Sequence, residues 1–234
     1  MPAPDPAARR RRRSRREPLA LAPWRRTVRA IAGFATVTEF SAMQVRIALA
    51  ILAAVVFLSW RSEWFWAGMV AAIAVMLLDG AARMLAREQG EVDAIGERRL
   101  ALGMRWLVPP LWWSAWITGL SLSELAFEPV YGLLVFAAIV FGHVTLLVIE
   151  RIFMARFGIA LDAWRPFDSR FKRLAAGRDN DLAILLLSLP FARPDRGIEL
   201  VALWTLFTLV VQATRLAQAN DRRSHGRPVA SWLA

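Results

Sequence analysis

Along the chain, long apolar runs alternate with short charged ones, and the spacing within each run sets the element it predicts. Residues 1–23, with "ARRRRRSRRE" at their centre, show no apolar periodicity and are predicted to be disordered. Over residues 24–40, Trp24, Val28, Ile31 and Ala35 recur at helical spacing opposite Arg25, Arg26 and Arg29. That pattern predicts an amphipathic helix lying on an anionic membrane surface. Six apolar runs follow, at about 43–60, 63–78 with a helical continuation, 100–120, 129–149, 181–192 and 198–217. The fifth, "DLAILLLSLPFA", is short and carries Pro190; the adjacent Pro109 and Pro110 predict a kink in the third. Most of these runs suffice to cross a hydrocarbon layer of about 30 Å. Trp60, Trp64, Trp66 and Trp116 stand at run ends, where an aromatic belt belongs.

The predicted fold class is thus an all-α membrane protein, a six-transmembrane-helix bundle with an N-terminal amphipathic interfacial helix. Its predicted parts are an arginine-rich tail over 1–23, the interfacial helix over 24–40, a membrane domain over 41–218 and a C-terminal tail over 219–234. Composition agrees, since 57% of residues are hydrophobic and the mean hydropathy is +0.40. A soluble domain would be closer to half apolar. The formal charge of +11 is almost all arginine, Lys172 being the sole lysine. Basic residues crowd the N-terminal tail, the second-to-third loop (Arg83, Arg87, Arg98, Arg99), the fourth-to-fifth loop and the C-terminal tail. The alternate loops "RSE", "SLSELAFE" and "ARPDRG" are poor in them. Positive charge stays inside, so an inner (cytoplasmic) membrane protein with both termini cytoplasmic is expected.

Other features narrow the classes. With no cysteine there is neither a disulfide framework nor a thiolate metal site. "SRRE" has the look of a twin-arginine export signal, but the apolar "PLALAPW" behind it is too short, and no cleavage is expected. The arginine cluster could fix topology and hold anionic lipid, bind nucleic acid or tether a partner protein; it has neither a nucleic-acid-binding fold nor stacking aromatics, which favours lipid and topology over nucleic acid. No internal repeat of the transporter kind is present.

Candidate chemistry centres on "MLLDGAARMLAREQGEVDAIGERRLALGM", residues 76–104. A helix entering at Glu63 places Asp79 about 24 Å along, in the inner third of the bilayer. An acid at that depth costs on the order of 2.5 kcal/mol and is a functional candidate. The structural alternative is that Asp79 pairs with Arg83 one turn later.

This segment resembles the signature of the CDP-alcohol phosphatidyltransferases, D-x-x-D-G-x-x-A-R, eight residues, then G-x-x-x-D-x-x-x-D. With Ala86-Arg87 as anchor, Asp79 falls on the first aspartate and Gly96 on the signature glycine, and "REQGEVDAIG" resembles the intervening loop. "SAMQVRIALAILAA", with Arg46 near its start, is similar to the family's first helix, and "GRDNDLAILLLSLPFARPD" to its fifth-helix region. The resemblance covers about 41–217. It implies a six-helix, dimeric enzyme of phospholipid synthesis in which four aspartates hold two divalent cations, Mg or Mn, against a CDP-linked lipid. On that mapping Asp79 is a catalytic and metal-binding position, with Arg87 and Gly96 on the substrate side.

The departures are chemical. The second aspartate is Ala82, the signature glycine after it Arg83, the third aspartate Leu100 and the fourth Met104. Magnesium needs hard oxygen ligands, two cations are wanted to offset charge on attacking and leaving oxygens, and a thioether is no general base. The gapless frame therefore implies a degenerate member, a pseudoenzyme, with Arg83 supplying the charge a metal would have brought. A second frame takes Asp79-Gly80 as the second D-G pair, Met76 in place of the first aspartate and Gly90 as the displaced glycine. Asp93 and Glu97 then form the D-x-x-x-D half, an acid set able to support activity. A third reading is a non-catalytic partner subunit of an active homologue.

Two further features invite a role. His143 and Glu150 lie seven apart on one helix face: either a proton or metal pair, or an interior histidine plus a Glu150-Arg151 cap. "RFKRLAAGRDND", residues 170–181, suits either phosphate binding or positive-inside charge.

Overall fold

The structure, a computed structural model, describes residues 24–90, 102–104, 106–125 and 127–232. Its regular elements are helices: α1 (Arg25–Val37), α2 (Ala42–Arg61), α3 (Phe65–Glu88), α4 (Val108–Leu122), α5 (Pro129–Phe157), α6 (Pro166–Leu174), α7 (Arg178–Ser188) and α8 (Pro194–Ser224). Short 3-10 turns at Leu161–Ala163 and Leu189–Phe191 complete the order, and the described residues contain no strand. Four stretches are long and apolar enough to cross a membrane: α2, Phe65–Ala86 of α3, α5 and α8. The chain is a helical membrane protein.

Two predicted spans differ from this. The run predicted at 100–120 forms α4, which starts at Val108 and has 15 residues. Residues 102–104 and 106 are helical too, and Leu107 separates them from α4, whose first turn holds Pro109 and Pro110, so helical backbone stands on both sides of the break that the prolines predict. The fifth run begins earlier, at Arg178, and α7 ends after 11 residues in the 3-10 turn that contains Pro190.

The residues fall into two compact units. The first comprises the described residues within 24–137 and 181–201. Here α2 starts at a capping box: Ser41 Oγ accepts from the Gln44 N–H and Gln44 Oε1 accepts from the Ser41 N–H. Gln89, just past α3, donates to the Phe40 carbonyl and accepts from the Ala42 N–H, both at 3.0 Å, which pins the end of α3 to the start of α2. At the opposite end, Trp60 sits between Trp112 and Trp116, ring centroids 5.5 and 4.9 Å away, both edge-on. Trp60 and Trp116, predicted as belt residues, are instead fully buried; Trp64 and Trp66 are exposed as an interface requires. Burial is tolerable because each indole N–H finds a carbonyl, Trp60 on Phe65, Trp112 on Ala53 and Trp116 on Pro194.

In this unit α1 packs on the end of α3. Its buried residues are Val28, Ala32 and Ala35, so much of the stripe predicted to meet the membrane meets a helix instead. Gly80 and Ala81 make room, since a Cβ on Gly80 would stand 3.2 Å from Val28 Cγ1.

The second unit holds residues 138–180 and 202–234, of which 233 and 234 are not described. Phe153, Leu161, Trp164 and Ala219 form its core, joined by Val229. Past α8 the chain returns over this core, and the Trp232 N–H donates to the Ala163 carbonyl. The predicted C-terminal tail is therefore partly helix and partly a packed strap, because Val229 and Trp232 are apolar enough to dock. Asp168 of α6, itself buried, accepts from Arg215 Nε at 2.6 Å and Nη2 at 3.1 Å. The same guanidinium lies over the rings of Trp164 and Phe167. Lysine has neither the planar fork nor the stacking face. Arg215→Lys is expected to cost about 1–3 kcal/mol, measured as an earlier unfolding transition in detergent.

Candidate functional site

Asp79 lies two-thirds of the way along α3, in a stretch otherwise apolar from Phe65 to Leu78. It is buried, as is Arg46 one turn into α2, and the two face each other. Arg46 Nη1 donates to Asp79 Oδ1 at 2.6 Å. Arg83, one turn further along α3, brings Nη2 to within 3.2 Å of Oδ2, and its Nε donates to the Asp79 backbone carbonyl at 3.2 Å. The carboxylate is thus held between two guanidiniums, one deep and one whose side chain is 44% exposed. Each contact is of the short, charge-assisted kind.

The predicted pairing of Asp79 with Arg83 is present, and Arg46 is the member that sequence reading missed. A lone arginine inside "AMQVRIALAILAA" was the available signal: a guanidinium there needs a carboxylate, and Asp79 is the acid of the neighbouring span.

The positions where the resemblance wants further acids are apolar here. Ala82 is fully buried and Met104 is buried, and neither offers an oxygen ligand. Among the described residues no group of three His, Cys, Asp or Glu could hold a metal ion. Among the described residues a pair of Mg or Mn ions does not fit this part of the site: they place one carboxylate here, and guanidiniums contact both of its oxygens. Arg87 belongs to α3, but its side chain, like Asp93, Gly96, Glu97 and Leu100, lies outside the described residues.

The other predicted candidates are placed as follows. His143 Nδ1 is 2.9 Å from the Ile139 carbonyl in its own helix. Glu150 pairs with Lys172 of α6 rather than capping with Arg151, since the long lysine reaches across from the neighbouring helix. In 170–181, Lys172 and Arg178 are therefore engaged with acids, Arg178 with Asp179 at 3.2 Å. Asn180 Nδ2 donates to the carbonyls of Arg173 and Ala175, closing the end of α6. These contacts are the kind that fix a helix junction.

Comparison with protein-family models, with curated proteins and with solved structures returns no match. What fold and site define is a class: a helical membrane protein carrying one buried acid clamped by two arginines.

Proposed function

We propose that the chain is a degenerate relative of the CDP-alcohol phosphatidyltransferases. In it the metal-binding acid has become a guanidinium-clamped one, and two-metal transfer from a CDP-linked lipid no longer occurs. The observation that carries this reading is the occupancy of both Asp79 oxygens, by Arg46 at 2.6 Å and Arg83 at 3.2 Å. A divalent cation would have to displace both guanidiniums, sit beside their charge, and find its remaining ligands among alanine and methionine. Tethered arginines supply the positive charge without exchangeable coordination sites, so the fold keeps its electrostatic balance while losing the means to polarise a phosphoryl group.

In this reading the protein crosses the inner membrane six times. α4 and α7, the latter with its 3-10 turn, make the two shorter crossings, α1 lies at the cytoplasmic interface, and both termini are cytoplasmic. The bias of arginine to alternate loops supports that topology. The protein acts as a membrane-embedded binding or assembly component, pairing with itself as the resemblance implies.

The test is CMP release from a CDP-linked lipid by the purified chain with Mg or Mn present. No metal-dependent release above background is expected, for wild type or for Asp79→Ala. Turnover that depends on metal and vanishes in Asp79→Ala would overturn the reading. Turnover that survives Asp79→Ala but is lost in Asp93→Ala or Glu97→Ala would overturn it in favour of the rearranged acid set.

A further inference from the structure

In the second unit α6 descends beside α8 toward the middle of the membrane. Asp168, in the first turn of α6, accepts from Arg215. Just past the end of α6, the Ala176 N–H donates to Thr208 Oγ1 at 3.1 Å. Arg215 and Thr208 stand seven residues apart on α8, so the chain drops by about 10 Å between the two contacts. From Glu199 to Arg215 α8 carries no other charge, and Trp204 and Thr208 sit near the middle of that apolar stretch. The residues between α6 and α7, 175–177, are thus non-helical backbone held at mid-depth.

Backbone of that kind is tolerated inside a membrane only where protein covers it or water reaches it. Here its polar groups are met by dedicated side chains. Trp204 Nε1 donates to the Leu174 carbonyl at 2.7 Å, and Thr208 takes the Ala176 N–H. Asn180 Nδ2 donates to the carbonyls of Arg173 and Ala175, at 2.9 and 2.7 Å. The break is therefore a built feature, and its surroundings are polar. Lys172, Arg173, Arg178 and Asp179 flank it in the chain, where charge among acyl chains is costly. A Cβ on Gly177 would meet nothing within 4 Å. Among the described residues, Arg173 Nε is enclosed without a hydrogen-bond partner. So is Oε1 of the buried Gln212, one turn along α8 from Thr208. An enclosed donor and an enclosed acceptor of this kind are what buried water satisfies. Length points the same way, since α7 with 11 residues spans about 16 Å and α6 with 9 about 13 Å, against a core of about 30 Å.

We propose that α6 and α7 are the two halves of one membrane crossing, broken at mid-depth, and that water from the side on which α8 ends fills the break. The break is then a site for small hydrophilic solutes that enter with the water, with the Arg173 guanidinium and the Gln212 amide as its hydrogen-bonding groups. This deepens the reading of α7 as the fifth crossing and rests on it. It holds whether or not transferase chemistry has been lost.

The test uses the full chain in proteoliposomes, where the absence of cysteine lets a single one report its surroundings. Gly177→Cys probes the break and Ser224→Cys the water at the end of α8. Val210→Cys probes the exposed apolar side of α8, two residues nearer that end than Thr208. The probe solute is a charged, membrane-impermeant methanethiosulfonate present on both faces; it reacts with thiolate, and a thiol among acyl chains stays protonated. Gly177→Cys is expected to label within about tenfold of the Ser224→Cys rate and about a hundredfold or more faster than Val210→Cys. A Gly177→Cys rate closer to that of Val210→Cys than to that of Ser224→Cys overturns the hydrated break. Fast labelling at all three positions overturns the mid-depth placement as well. If Gly177→Cys fails to fold, Ala176→Cys takes its place, since it keeps the N–H that Thr208 accepts. No outcome here turns on CMP release, so the break and the loss of transferase chemistry stand or fall separately.

Discussion

Arg46→Ala is expected to lower stability by about 3–5 kcal/mol, enough to bring unfolding in detergent to much milder conditions. Asp79 and Arg46 are both buried, and their contact at 2.6 Å satisfies charges that water does not reach. Removing the arginine takes away the deep partner of the carboxylate and keeps Arg83 on its more exposed side. The paired change Arg46→Met/Asp79→Leu removes both charges and keeps apolar volume. It is expected to recover most of the loss, because replacing a buried ion pair with packed side chains is often neutral or better. Chemical-denaturant or thermal unfolding of the two singles and the double closes the cycle. Near-additive losses in the double variant would show that Asp79 answers to something other than Arg46. If Asp79→Leu alone were harmless while Arg46→Ala were not, the arginine would be the group with an outside partner. Divalent cations test the same arrangement from another side: added Mg or Mn is expected to leave the wild-type transition where it is, since binding only raises stability when a folded-state site exists.

That pair also marks where sequence reading stopped. Asp79 and Arg83 stand one turn apart on one helix, so their contact follows from helical geometry alone. Arg46 is 33 residues from Asp79, and their meeting depends on how α2 and α3 pack, which no local spacing encodes. The long helices were legible for the opposite reason: α2, α3, α5 and α8 each average apolar character over a bilayer's thickness, and small errors at their ends do not matter. α4 is shorter than its apolar run because Pro109 and Pro110 fall in its first turn, and the helical residues 102–104 and 106 stand apart from it across Leu107. The amphipathic pattern of α1 was plain, yet an apolar stripe does not say whether lipid or protein will cover it. Gly80 and Ala81, side by side on α3, were the hint that a second helix approaches there. Trp60 and Trp116 were misplaced in the same way. A tryptophan at the end of a span suits an interface, but an indole whose N–H meets a carbonyl suits the interior equally well.

The tryptophan cluster is where a single methyl group should do most damage. Gly119 of α4 faces the end of α2 so closely that a Cβ built on it would lie 2.0 Å from the Trp60 carbonyl oxygen. That neighbour is backbone, so no side-chain rotation relieves the clash; α4 must move away from α2. Moving it opens the edge-on contacts of Trp60 with Trp112 and Trp116 and strains the hydrogen bond from Trp112 to Ala53. Small residues at helix crossings in a membrane serve this close approach, because packing rather than water exclusion holds such helices together. Gly119→Ala is therefore expected to cost about 3 kcal/mol or more, at or beyond the upper end for overpacking, and to change near-ultraviolet circular dichroism as the tryptophans lose their fixed geometry. Gly33→Ala is the matched control, since a Cβ there meets nothing within 4 Å and alanine favours a helix. If Gly119→Ala unfolded no earlier than Gly33→Ala, with its tryptophan signal intact, the close crossing of α2 and α4 would have to be abandoned.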